Sequence, residues 1–182
     1  MMQVRDSAQG YGIVSRTFHW AMALLLVLQV TTASLHLLAG ESAATKAVWP
    51  LHFQIGFTLW WLVLLRGSWA LASYRRRPPH EGSPLQARAA TIGHLALYAL
   101  MVVVPTLALL RAAGRGRGVR LYGIQWLPEG TPEIPVFTAA GNALHGTLGW
   151  VLASLVVGHV GFALWHGLVR RDGTLARMWR GR

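Results

Sequence analysis

The chain contains no cysteine and few charges, and none of its six acidic residues falls inside its long apolar stretches. Without cysteine there can be no disulfide, iron–sulfur cluster, thiol nucleophile, cysteine-ligated zinc or thioether-attached c-type haem. Charged residues make up 13% of the 182, about half of the roughly 25% typical of soluble domains. With 53% hydrophobic residues, that is too little polar surface to cover a soluble fold. The acids are Asp6, Glu41, Glu81, Glu129, Glu133 and Asp172. Their positions argue against carboxylate proton relays, di-iron carboxylate sites and buried acid/base pairs within a bilayer. Internal repeats and low-complexity segments are also missing.

What is present is apolar length. Residues 17–38, 51–71, 89–110 and 143–168 each carry roughly the 20 residues a helix needs to cross a bilayer. Lipid offers the backbone no partners, so these are read as helices rather than an open sheet. The expected fold is an all-α integral membrane protein, a single domain over residues 1–182 built as a bundle of four spanning helices. The first stretch is too long for a signal-peptide core and is expected to be retained, although Ser42, Ala43 and Ala44 faintly resemble a cleavage site. Pro105 is expected to bend the third span.

The net charge of +11 sorts by position. Arg5 and Arg16, then Arg75, Arg76, Arg77 and Arg88, then Arg170, Arg171, Arg177, Arg180 and Arg182 fall on one side, which the positive-inside rule makes cytoplasmic, with both termini inside. Lys46 stands alone in the first outer loop, but Arg111, Arg115, Arg117 and Arg120 also fall outside, the last three in a Gly-rich loop expected to be mobile. That outer cluster serves either lipid headgroups or an attracted anion. The partners read from this balance are membrane lipid and redox molecules, with no nucleic acid.

Histidine is the ligand supply inside the spans. His145 and His159 are 14 positions apart, which puts them within about 40° of one helix face and about 21 Å apart along it. One helix thus offers ligands at two depths. His52 starts span two at the outer level and His19 starts span one at the inner level, so the natural pairs are His52 with His145 and His19 with His159. Two histidine pairs at two depths in a helical bundle point to two bis-histidine b-type haems. Zinc is the weaker alternative, because it favours three or four ligands at one level. Gly56 and Gly149 each follow a ligand candidate by four residues, leaving room for a flat macrocycle or simply for helix packing.

Arg66 lies 14 positions after His52, near the same face at inner depth. An arginine there needs an anion, and a haem propionate suits it; Arg16, three residues before His19, could serve the same haem or snorkel to headgroups. His36 lies about 100° round the helix from His19 and is a poor ligand. His166 and His94 are candidates to support a propionate or a quinone headgroup, against plain interfacial packing for His94. His80, in a Pro-rich loop, is read as solvated.

The motifs Arg-Thr-Phe-His19-Trp, Leu-His52-Phe-Gln-Ile-Gly with Arg66 downstream, Ile-Gly-His94-Leu-Ala-Leu-Tyr, and Leu-His145-Gly-Thr-Leu-Gly followed by Gly-His159 resemble, in that order and over nearly the whole chain, the bacterial cytochrome b561 family. The resemblance implies a four-helix di-haem quinone oxidoreductase whose iron ligands carry onto His19, His52, His145 and His159. Members of this compact length resemble superoxide oxidases of the inner membrane, which pass an electron from superoxide through haem to ubiquinone. Others resemble non-catalytic cytochrome subunits or anchors of hydrogenase, dehydrogenase or periplasmic redox complexes. On the first reading Arg115, Arg117 and Arg120 form a basic funnel that steers an anion to the outer haem; on the second they dock an acidic protein.

Overall fold

A computed structural model describes residues 3–79 and 82–181. His80, Glu81 and Arg182, placed above in a loop, a loop and the tail, lie outside the described residues. Four long helices dominate: α1 (Ile13–Ala39), α2 (Ala43–Ala72), α3 (Pro84–Gly114) and α4 (Pro135–Trp165). Each is long and apolar enough to cross a membrane. At 1.5 Å per residue, the shortest is about 40 Å long, more than the roughly 30 Å hydrocarbon core. The helices therefore overrun the apolar stretches, most clearly where α2 starts at Ala43 and α4 at Pro135. Hydropathy registers only the part that lies in lipid, whereas backbone hydrogen bonding continues into the headgroups. Pro84 and Pro135 open their helices, where a missing N–H costs nothing. Leu24, Val27, Leu65, Ile92, Val157 and Phe162 are all more than half exposed, an exterior that suits lipid and not water.

A short hairpin joins α3 to α4: β1 (Val119–Leu121) pairs antiparallel with β2 (Ile124–Leu127). Its two-residue turn holds Tyr122 and Gly123 at φ 53° and 77°, the left-handed pair whose twist matches the strands. Val119 and Leu121 are buried against Phe57 of α2 and Leu109 and Ala112 of α3. This corrects the mobile loop expected from the glycines. Gly116 and Gly118 adopt φ of +63° and +65°, so they supply a backbone shape rather than looseness. After α4 comes a π-helical turn (His166–Arg170) and a last helix, α5 (Thr174–Trp179).

The described chain forms two compact units. The first takes residues from 1–24, 62–98 and 154–182, the second from 25–61 and 99–153, so each long helix contributes a segment to each. In the first unit, Trp69 Nε1 donates to Ser15 Oγ at 2.9 Å and Trp20 Nε1 to the Met178 carbonyl at 3.1 Å. In the second, Trp60 Nε1 donates to Thr106 Oγ1 at 3.1 Å. There α3 and α4 meet at Gly141, where a Cβ would stand 2.5 Å from that of Arg111 and 2.7 Å from the Leu107 carbonyl; only glycine permits that approach. The fold is all-α and four-spanning.

Candidate functional site

In the first unit, the α1 residue His19 and the α4 residue His159 face each other with ring centroids 6.2 Å apart. Arg66 reaches across from α2, its Nη2 donating to His19 Nδ1 at 3.3 Å, while its guanidinium lies 5.6 Å over the ring of Tyr98 on α3. Among the described residues, no carboxylate comes within ion-pair distance of Arg66. A half-buried cation with no carboxylate partner among the described residues fits a site that accepts an anionic group. His94, exposed on α3, lies 5.4 Å from His159.

Arg16 and His166 stand elsewhere in that unit. Arg16 Nη1 packs where a Cβ on Gly181 would be 2.6 Å away, and its buried Nε has no partner among the described residues. His166, in the π-helical turn, is hydrogen-bonded to Asp172. Partial desolvation pushes the Asp172 carboxyl up, but hydrogen bonds from His166 and Thr174 outweigh it and hold the pKa at about 2.

In the second unit, His52 of α2 and His145 of α4 face each other at 6.3 Å. Both line one cleft, together with Gln29, Gly56, Met101 and Arg111. His145 Nδ1 lies 2.9 Å from the Val104 carbonyl, beside Pro105. His52 Nδ1 lies 3.0 Å from Thr32 Oγ1 and its Nε2 lies 3.1 Å from Gln29 Nε2. His36 does not face this pair: it stacks on Trp49 at 3.9 Å, which stacks on His52 at 4.8 Å. The space beside Gly56 is taken by the Gln29 amide, 3.0 Å from where a Cβ would stand.

Three residues of this site escaped the sequence reading. Arg111 lines the cleft with both histidines, although its position groups it with the exposed arginines. Gln29 and Thr32 were passed over inside an apolar run; their signal was polarity within a span, three residues apart on one helix face. The exposed arginines take neutral partners: Arg115 donates to Asn142 Oδ1 at 3.3 Å and Arg120 to Gln125 Oε1 at 3.2 Å. Among the described residues, neither these two nor Arg117 pairs with a carboxylate.

Two imidazoles that share one metal, each bound at about 2 Å, hold their ring centroids about 6 Å apart, and both histidine pairs have that spacing. Among the described residues, no three His, Asp or Glu side chains converge to hold a metal ion, so the cluster that zinc favours does not form. The donor set is therefore two separate imidazole pairs, each beside an arginine, which fits an iron porphyrin with its propionates.

Comparison with known proteins points the same way. The profile of one family, described as prokaryotic cytochrome b561, matches residues 10–181. The chain is 30% identical over 183 residues to the cytochrome b561 homolog 2 of Escherichia coli (strain K12), covering 97% of this chain and 95% of that protein. It is 25% identical over 164 residues to the cytochrome b561 homolog 1 of the same organism, covering 88% and 91%. The chain belongs to the prokaryotic cytochrome b561 family, and is a bacterial membrane protein of b-type haem electron transfer.

Proposed function

We propose that this chain binds two b-type haems, one between His19 and His159 and one between His52 and His145, and passes single electrons from superoxide to ubiquinone. The proposed setting is the inner membrane, with both termini cytoplasmic and the His52–His145 pair toward the outside. The observation that carries this reading is the pair of facing histidines in each unit, at nearly equal spacing. When bound, the haem iron supplies reversible one-electron transfer; the protein's residues hold, orient and tune it.

Arg66 in the first unit and Arg111 in the second offer cations to propionate carboxylates, and the Nε of Arg16, without a partner among the described residues, offers a further donor. His94, exposed beside His159, stands where it can meet a quinone headgroup. Overall, two superoxide anions give up one electron each and leave as dioxygen, while one ubiquinone takes both electrons and two protons. Arg115, Arg117 and Arg120 have no carboxylate partner among the described residues, so their field extends into solvent and draws an anion in.

One observation favours a second reading, a cytochrome subunit that needs a protein donor. The same hairpin exposes Tyr122, Ile124 and Trp126, an apolar set beside basic residues that suits a protein interface. Purified chain separates the two. Superoxide-driven ubiquinone reduction by the chain alone, slowed by salt and slowed most at low ionic strength by replacing Arg115, Arg117 and Arg120 with Gln, supports the first. Turnover only with a partner protein supports the second.

A further inference from the structure

We infer that Thr32 is a positioning residue for His52: it fixes the proton on Nδ1 and so leaves Nε2 as the nitrogen able to bind iron. This rests on the reading that His52 and His145 hold a haem. Thr32 Oγ1 lies 2.8 Å from the backbone carbonyl oxygen of Gln29. Two oxygens that close require a hydrogen between them, and a carbonyl has none, so the hydroxyl hydrogen of Thr32 points there. The same Oγ1 lies 3.0 Å from His52 Nδ1. With its only hydrogen committed, it can only accept, and Nδ1 must carry the ring proton.

The other side of the ring agrees. His52 Nε2 lies 3.1 Å from the amide nitrogen of Gln29, and an amide nitrogen only donates, so Nε2 presents its lone pair. That is the tautomer that ligation through Nε2 needs. The two supports differ in permanence. Among the described residues the buried Oε1 of Gln29 has no partner, and its amide touches the nitrogen that iron would take. Thr32 is buried, at 8% exposure, and tied to the α1 backbone. His145, by contrast, is held by the backbone carbonyl of Val104, which no side-chain substitution removes. Thr32 is therefore the replaceable half of the support for this pair, and its acceptor oxygen makes His52 a stronger donor to ferric iron.

The test uses purified, haem-loaded full-length chain. Thr32→Val keeps the shape and removes the acceptor. One of the two haems should then be retained 10–100-fold less tightly, and its midpoint potential should rise by about 59 mV for a tenfold loss of ferric over ferrous preference. Thr32→Ser, which keeps the hydroxyl, should restore both values, and His52→Ala should abolish that haem. If His52→Ala leaves the haem content unchanged, the ligand reading itself fails. If His52→Ala loses a haem while Thr32→Val matches wild type in retention and potential, the role of Thr32 is overturned. Should the valine variant not accumulate, nitrogen NMR of histidine-labelled, reduced wild-type protein decides: His52 Nδ1 should carry a hydrogen-bonded proton, and a bare Nδ1 overturns the inference.

Discussion

In the first unit the Nδ1 of His19 faces a guanidinium nitrogen of Arg66, whereas in the second the Nδ1 atoms of His52 and His145 face a hydroxyl and a carbonyl. The spacing of the two pairs is nearly the same, so the difference lies in what stands behind them. A guanidinium can only donate, which leaves His19 Nδ1 as an acceptor and sets the opposite tautomer from that of His52. Ligation by His19 through Nε2 requires a proton on Nδ1, so Arg66 must turn its charge to another acceptor. Among the described residues no carboxylate is within ion-pair reach of it. In the second pair both Nδ1 atoms already face acceptors and only the Gln29 amide must leave His52 Nε2, while the first is coupled to where the charge of Arg66 goes.

The largest effects should come from the imidazoles. His19→Ala and His159→Ala should each remove the haem of the first unit and leave the other, and His52→Ala and His145→Ala should do the reverse; reduced-minus-oxidised spectra with haem quantification would read this. If His36→Ala removed a haem and His52→Ala did not, the assignment of pairs would break. Next come the arginines. Arg66→Gln should weaken haem retention in the first unit on the order of 3–5 kcal/mol, as when one partner of a buried charge pair is removed. Arg111→Gln should cost less, because Arg111 sits in the last turn of α3, where solvent screens its charge. Rates of haem loss compare them, and equal losses would remove the asymmetry between the units.

The smallest effect concerns pH. The Asp172 carboxyl is held at about 2, below its usual value, so its contact with His166 contributes fully above about pH 4 and is lost as the pH falls through about 2. A carboxyl titration by NMR should find that midpoint; an ordinary value near 4 would show that the contact does not hold in solution.

The parts of this account that could be read in the sequence are those with a strong period. Four apolar runs stand out against a chain with 13% charge, and the 14-residue separation of His145 and His159 is close to four whole helical turns. That is why the adjacency of His52 with His145 and of His19 with His159 is legible in the sequence. The helix ends were not, because hydropathy stops where lipid stops. Neither was the hairpin, since Val119, Arg120 and Leu121 are a three-residue alternation set among glycines, too short to register as a strand. The role of Arg111 in the cleft was hidden for a related reason. Chain position groups it with Arg115 and Arg117, while the helical turn of α3 carries its side chain to the cleft with His52 and His145. Thr32 and Gln29 matter through hydrogen bonds to another helix, which no single-helix pattern encodes.

The most direct test of the central claim, one haem in each unit, is the haem-to-protein ratio of purified wild-type chain read with its dithionite-reduced visible spectrum, beside His19→Ala and His52→Ala. The account predicts two b-type haems per wild-type chain and one in each variant. A wild-type ratio of one, or a reduced spectrum without b-type absorption, would contradict it.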